Sequence, residues 1–174
     1  MSITPLLSQE KIAARITELA AEIAERADGK PLLIVALMRG SFIFAADLAR
    51  ALSAHKLELE FDFLGLSSYK EGTETTGEVV VTADMTAPIK NRHVLVIDDI
   101  LESGLSLTCA KGIMVERQAA SVLTAVLLEK PGKRTVQLDA DFVGFEIEDK
   151  FVIGYGLDYA GKYRELPYVG YLNS

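Results

Sequence analysis

His93-Val-Leu-Val-Ile-Asp-Asp-Ile-Leu-Glu-Ser-Gly-Leu-Ser-Leu107 runs from an unbroken apolar stretch through two adjacent acids into a loop of small residues. An apolar run without alternation suits a strand covered on both faces, as in a parallel sheet. The following segment, Gly104 to Arg117, reads as a helix. Ligands of open α/β sheets collect where such a strand gives way to such a helix. Ser103, Gly104 and Ser106 offer hydroxyls and close backbone approach, and the helix start presents unpaired amides with a partial positive charge, so a phosphate fits there. Asp98 and Asp99 would repel a bare phosphate but accept sugar hydroxyls and attract Mg²⁺. Diol and phosphate together suggest a ribose 5-phosphate. The local pattern alone also fits a solvated strand end with Ser103 as a simple helix cap.

Outward from this loop, strand and helix recur in turn. Ser8 to Ala27 places Ile12, Ile16, Leu19 and Ile23 at helical spacing, and Asp28-Gly29-Lys30-Pro31 ends the pattern. Leu32 to Met38 is a second apolar run, followed after Arg39-Gly40 by a helical segment, Ser41 to Leu52. Leu57, Leu59, Phe61 and Phe63 alternate with acids, predicting a strand with one wet face. Glu78 to Thr82 supplies more β-branched residues, and Ser121 to Leu128 is a further buried strand. These elements predict an α/β fold with an open, mainly parallel sheet flanked by helices. The tail from Asp141 to Tyr171, rich in Phe, Tyr and Gly, has strand-like pieces at Phe142 to Ile147 and Phe151 to Tyr155. It predicts a small subdomain over the sheet's end.

With 174 residues, 49% of them hydrophobic, the chain has core enough for one domain and too little for two. No apolar run approaches a membrane span, and MSITPLLSQEK lacks the order of a signal peptide, so a cytoplasmic protein is expected. Cys109 has no partner for a disulfide or a zinc site and reads as a small core side chain. The net charge of −7 argues against nucleic acid as a partner and also repels phosphorylated substrates. A phosphate site must therefore rely on local cations, backbone amides or a metal. Competing phosphate signatures are absent: there is no G-x-x-x-x-G-K-[ST], and Gly154-Tyr-Gly156 lacks a third glycine.

Two apolar flanks, two acids and Ser-Gly-x-Ser closely resemble the phosphoribosyl pyrophosphate motif of type I phosphoribosyltransferases. The resemblance extends over nearly the whole chain to the hypoxanthine-guanine phosphoribosyltransferases. Ala36-Leu-Met-Arg-Gly-Ser-Phe-Ile-Phe44 is similar to that family's pyrophosphate loop, matching at Arg39 and Gly40. Ser68-Tyr69, in the polar stretch Ser67 to Gly77, is similar to the start of its mobile lid. Leu127-Leu-Glu-Lys-Pro131 matches the segment whose lysine, here Lys130, bonds the purine's 6-oxo group. Asp141 to Tyr159 resembles the base-binding segment.

By matched position, the resemblance makes Phe151 the ring stacked on the purine and Val152 the backbone contact to its edge. Asp158 becomes a metal ligand with Asp98 and Asp99, and Arg164 a pyrophosphate contact. Ser103, Gly104, Leu105 and Ser106 form the 5-phosphate loop, and Glu102 is the presumed base. Two departures stand out: Asp98 replaces the commoner Glu, and Glu102 replaces the usual Asp, lengthening the presumed base by one methylene.

The implied activity is Mg²⁺-dependent transfer of the phosphoribosyl group to hypoxanthine or guanine by a homodimer or homotetramer. The implied hood is formed largely by the C-terminal segment of a single domain, 1–174. Rival readings are a nucleic-acid-binding regulator of the same fold and a transferase for xanthine or a pyrimidine.

Overall fold

The computed structural model describes residues 2–71 and 74–172. In chain order the elements are β1 (Ile3–Leu7), α1 (Gln9–Ala27), β2 (Leu32–Met38), α2 (Phe42–Leu52), β3 (Leu59–Glu71) and β4 (Glu74–Ala83). They continue with β5 (His93–Leu101), α3 (Leu105–Glu116), β6 (Ser121–Glu129), β7 (Phe142–Glu146), β8 (Val152–Ile153) and β9 (Val169–Leu172). A single turn of 3₁₀ helix, Ser53–His55, follows α2.

Six strands form one sheet in the order β4-β3-β2-β5-β6-β7, parallel throughout except for the β3–β4 pair. The mainly parallel open sheet expected from the sequence is thus present. Strand β2 shows why its run carries no alternation. Leu32, Ile34 and Ala36 enter one core cluster with Ile12, Ile16, Leu19 and Ile23 of α1 and Phe44 and Leu48 of α2. Leu33, Val35 and Leu37 enter another with Leu107, Ala110 and Met114 of α3. Period-two side chains feed both faces, so every position must be apolar. Each large aliphatic side chain buried in this way contributes about 1.5–3 kcal/mol.

Helix α1 begins where Ser8 accepts a hydrogen bond from the Lys11 amide at 3.3 Å, satisfying one of its unpaired donors. It stops at Asp28, which takes a left-handed conformation with φ 51°. Arg15 then ties this helix to the outer strand, donating to the carbonyls of Gly144 at 3.0 Å and Val143 at 2.9 Å.

One expectation is corrected. Phe142–Glu146 is a strand, but it joins the edge of the main sheet beside β6 rather than the tail subdomain. The small second sheet, ordered β1-β9-β8, draws one of its three strands from the N-terminus. In addition, the apolar row of β3 is only partly covered: Phe61 and Phe63 are exposed and touch each other, ring centroids 5.2 Å apart. No helix among the described residues is long and apolar enough to cross a membrane.

Candidate active site

Adjacent parallel strands β2, β5 and β6 deliver three loops to the same end of the sheet. Between the first two lies a cleft of about 280 Å³ lined by Arg39, Gly40, Asp98, Asp99, Glu102, Ser103, Gly104 and Ser106, among others. A second cavity of about 160 Å³ is lined by Asp99, Ile100, Glu102, Lys130, Phe151, Val152, Leu157 and Asp158. The two share Asp99, Ile100 and Glu102. Residues matched by motif to the sugar phosphate thus surround one space, those matched to the base surround the other, and the presumed base stands at the junction.

The floor of the cleft is tightly built. Gly40 lies so close to β5 that a Cβ there would fall 1.7 Å from Asp99 Oδ2. Gly156 of the C-terminal segment sits against the other side of the same loop, where a Cβ would fall 2.1 Å from the Gly40 carbonyl oxygen. Only glycines permit this stacking of carboxylate, loop and hood. The Met38–Arg39 peptide entering the loop is cis.

Asp98 and Asp99 stand side by side, half-buried, on the cleft wall. Burial holds Asp98 well above the ordinary carboxylate range, and the neighbouring Asp99 charge adds to the shift. Burial raises Asp99 as well, opposed by its hydrogen bond with Asp98, by backbone amides and by the Arg164 charge. A cation at this spot would relieve both groups.

Gly104 starts α3 in a left-handed conformation, φ 85°, and Ser103 Oγ accepts the Leu105 amide at 3.3 Å. Leu105 itself lines neither cavity. Lys130, which in isolation reads as a solvated lysine, is 5% exposed and ion-paired to Glu102. Its ammonium also stands 4.0 Å from Asp149. Phe151 is 59% exposed, edge-on to Tyr159 at 5.8 Å, so one large ring is held open to the cavity it lines. Val152 is buried beside it.

Asp158 is already engaged, with Arg164 at 2.7 Å and the Gly161 amide at 2.7 Å. Arg164 also donates to the Gly156 carbonyl and lines neither cavity. Backbone at Ser68 and Tyr69 continues β3, pairing Ser68 with Val79, while the side chains of residues 68–78 and all of Gly72 and Thr73 lie outside the described residues. The lid reading falls largely there. Among the described residues no group of three or more His, Cys, Asp and Glu side chains is arranged to hold a metal.

Sequence reasoning missed Arg134 and Glu129. Gly132-Lys133-Arg134-Thr135 looks like a solvated turn, yet Arg134 is largely covered and packs behind the phosphate loop, ion-paired to Glu129.

A family model for the phosphoribosyl transferase domain matches residues 2–160. A hypoxanthine-guanine phosphoribosyltransferase of Staphylococcus epidermidis is 43% identical over 169 residues, covering 97% of this chain and 93% of that protein. The chain belongs to the hypoxanthine-guanine phosphoribosyltransferase family. A crystal structure of a Staphylococcus aureus hypoxanthine phosphoribosyltransferase superposes with a TM-score of 0.92 at 40% identity, over 98% of this chain and 91% of that one. A Bacillus anthracis hypoxanthine-guanine phosphoribosyltransferase, solved with a HEPES molecule in its active site, gives 0.92 at 38% identity, over 99% and 100%. Likeness at this level makes the sheet a phosphoribosyltransferase sheet.

Proposed function

We infer that this protein transfers the 5-phosphoribosyl group from phosphoribosyl pyrophosphate to hypoxanthine or guanine, releasing pyrophosphate and giving IMP or GMP for purine salvage. The observation that carries this reading is the pair of cavities meeting at Glu102, one walled by the phosphate loop and the other by Lys130 and Phe151. The whole chain is read as one domain, acting in the cytoplasm as a homodimer or homotetramer.

In this mechanism Ser103, Gly104, Leu105 and Ser106 hold the 5-phosphate with backbone amides and hydroxyls at the start of α3. Asp98 and Asp99 accept the ribose hydroxyls. Arg39, Gly40 and Arg164 hold the departing pyrophosphate, and Ser68 and Tyr69 belong to the cover that excludes water. Lys130 donates to the purine's 6-oxo group, Phe151 stacks on the ring and the Val152 backbone meets its edge. The imidazole nitrogen of the purine then attacks the anomeric carbon with inversion while Glu102 takes the proton that the ring loses.

Mg²⁺ is the cation that suits the site. Its preference for hard oxygen ligands, few from protein and the rest from water and substrate phosphates, matches two adjacent cleft-lining carboxylates without a third fixed partner. Asp98 and Asp99 would hold it, and Asp158 would join by exchanging its contact with Arg164. When bound, the ion neutralises charge on the pyrophosphate. With a net charge of −7, the protein depends on this ion and on Arg39, Lys130 and Arg164 to accept a polyanion at all.

Product analysis tests the reading. Incubation with phosphoribosyl pyrophosphate, Mg²⁺ and each free base in turn should yield IMP and GMP, and none after chelation of divalent cations. Formation of pyrimidine nucleotides instead, or of no nucleotide, would overturn it.

A further inference from the structure

The segment from Lys130 to Thr135 folds behind the phosphate loop and occupies its carbonyl oxygens one after another. The Leu101 carbonyl accepts from the Lys130 amide at 3.0 Å and from Arg134 Nη1 at 3.1 Å. The Glu102 carbonyl accepts from the same Nη1 at 2.9 Å. The Ser103 carbonyl accepts from the Thr135 amide at 3.0 Å and from its hydroxyl at 3.3 Å.

In a planar trans peptide the carbonyl and the following N–H point in opposite directions. Fixing the carbonyls of Leu101, Glu102 and Ser103 on one side therefore directs the amides of Glu102, Ser103 and Gly104 to the other. That other side is the cleft, which these loop residues line and Arg134 and Thr135 do not. Three successive amides aimed at one space form an anion-binding concavity.

We propose that Arg134 is a positioning residue that sets the phosphate loop in its anion-binding shape before substrate arrives. The proposal deepens the transferase reading and rests on it. Four of the five guanidinium N–H groups are used: two on Nη1 for the loop, Nε to the Leu138 carbonyl at 3.0 Å, and one on Nη2 to Glu129. Glu129 closes β6, so the loop after β5 is fixed to the end of the neighbouring strand. Packing supports the same fit, since a Cβ on Gly104 would fall 2.9 Å from Val136 and 3.6 Å from Arg134 Cδ. A lysine has one nitrogen and cannot span the loop carbonyls, Leu138 and Glu129 together.

The test compares wild type with Arg134→Lys in the full chain, reading steady-state constants, equilibrium binding of ribose 5-phosphate and thermal unfolding. The variant should raise KM for phosphoribosyl pyrophosphate and Kd for ribose 5-phosphate by about tenfold or more, with kcat and the KM for hypoxanthine changed by less than about threefold. A purely structural role would instead lower Tm and the active fraction without moving either constant, and that result overturns the proposal. Glu129→Gln keeps the arginine and weakens its anchor. It should raise the same two constants by about threefold, and unchanged values there also count against the proposal. Absence of nucleotide formation by wild type would defeat the transferase reading, while the ribose 5-phosphate comparison would still decide the role of Arg134.

Discussion

Glu102 and Lys130 are joined as an ion pair where the two cavities meet, the acid open to the cleft and the amine buried. The acid thus reaches the lysine proposed to meet the base. An ammonium withdrawn from water needs such a partner. In the proposed mechanism the purine's oxo group would share or replace it, which would link base binding to the position of Glu102.

Replacing Lys130 by Ala should lower kcat/KM for both hypoxanthine and guanine by about 10- to 150-fold, the value of a hydrogen bond to a charged group of roughly 1.5–3 kcal/mol. Steady-state rates with each base check this. Unchanged kcat/KM would remove Lys130 from the base site.

Glu102→Gln keeps the shape and removes the basicity. Turnover should fall by about 10²- to 10⁴-fold while the KM for phosphoribosyl pyrophosphate stays nearly constant. Glu102→Asp should lose less than Gln, since it retains a base but withdraws it by one methylene. A Gln variant with wild-type turnover and pH profile would show that another group handles the proton.

Asp98 leads to a prediction about stability. Its carboxyl is raised by burial first and by Asp99 second, so the folded state binds the proton more tightly than the unfolded chain does. Stability is then highest below the ordinary carboxylate pKa and falls as pH rises toward the raised folded value. At neutral pH burying this carboxyl is a cost, and Asp98→Asn should raise the Tm of the ligand-free protein by about 2–4 °C per kcal/mol recovered. The gain should vanish near pH 4, and turnover should be lost. Scanning calorimetry at the two pH values decides it; a lower Tm for the variant at neutral pH would contradict the account.

Gly40→Ala puts a methyl where Asp99 Oδ2 lies, at 1.7 Å. The carboxylate or the loop must move, and kcat/KM for phosphoribosyl pyrophosphate should drop by at least about tenfold with the fold intact by circular dichroism. Wild-type kinetics would mean that the close stacking of Gly40 on Asp99 has no part in binding.

Much of this was legible in the residues. The runs at Leu32–Met38 and Val94–Ile97 are apolar at every position because helices cover both faces, and the Ile12, Ile16, Leu19 and Ile23 stripe of α1 faces one core cluster as its period requires. The candidate residues at or just past the ends of β5 and β6, namely Asp98, Asp99, Glu102 and Lys130, were legible because strand ends concentrate them. Other features depend on partners distant in sequence. Phe142–Glu146 has a strand's composition, but its pairing with β6 is a tertiary choice. Ile3–Leu7 pairs with the far end of the chain. The alternation at Phe61 and Phe63 signals a strand face without saying whether anything covers it, and here both rings are exposed. Arg134 acts through backbone carbonyls, which leave no side-chain pattern to read.

Discrimination between a 6-oxo and a 6-amino purine tests the central claim most directly, because it depends on catalysis and on the Lys130 site together. Purified protein with phosphoribosyl pyrophosphate and Mg²⁺ should convert hypoxanthine with a kcat/KM at least about 10²-fold above that for adenine, since the buried ammonium has no acceptor to meet on an amino group. Comparable turnover of the two bases, or transfer to neither, would contradict it.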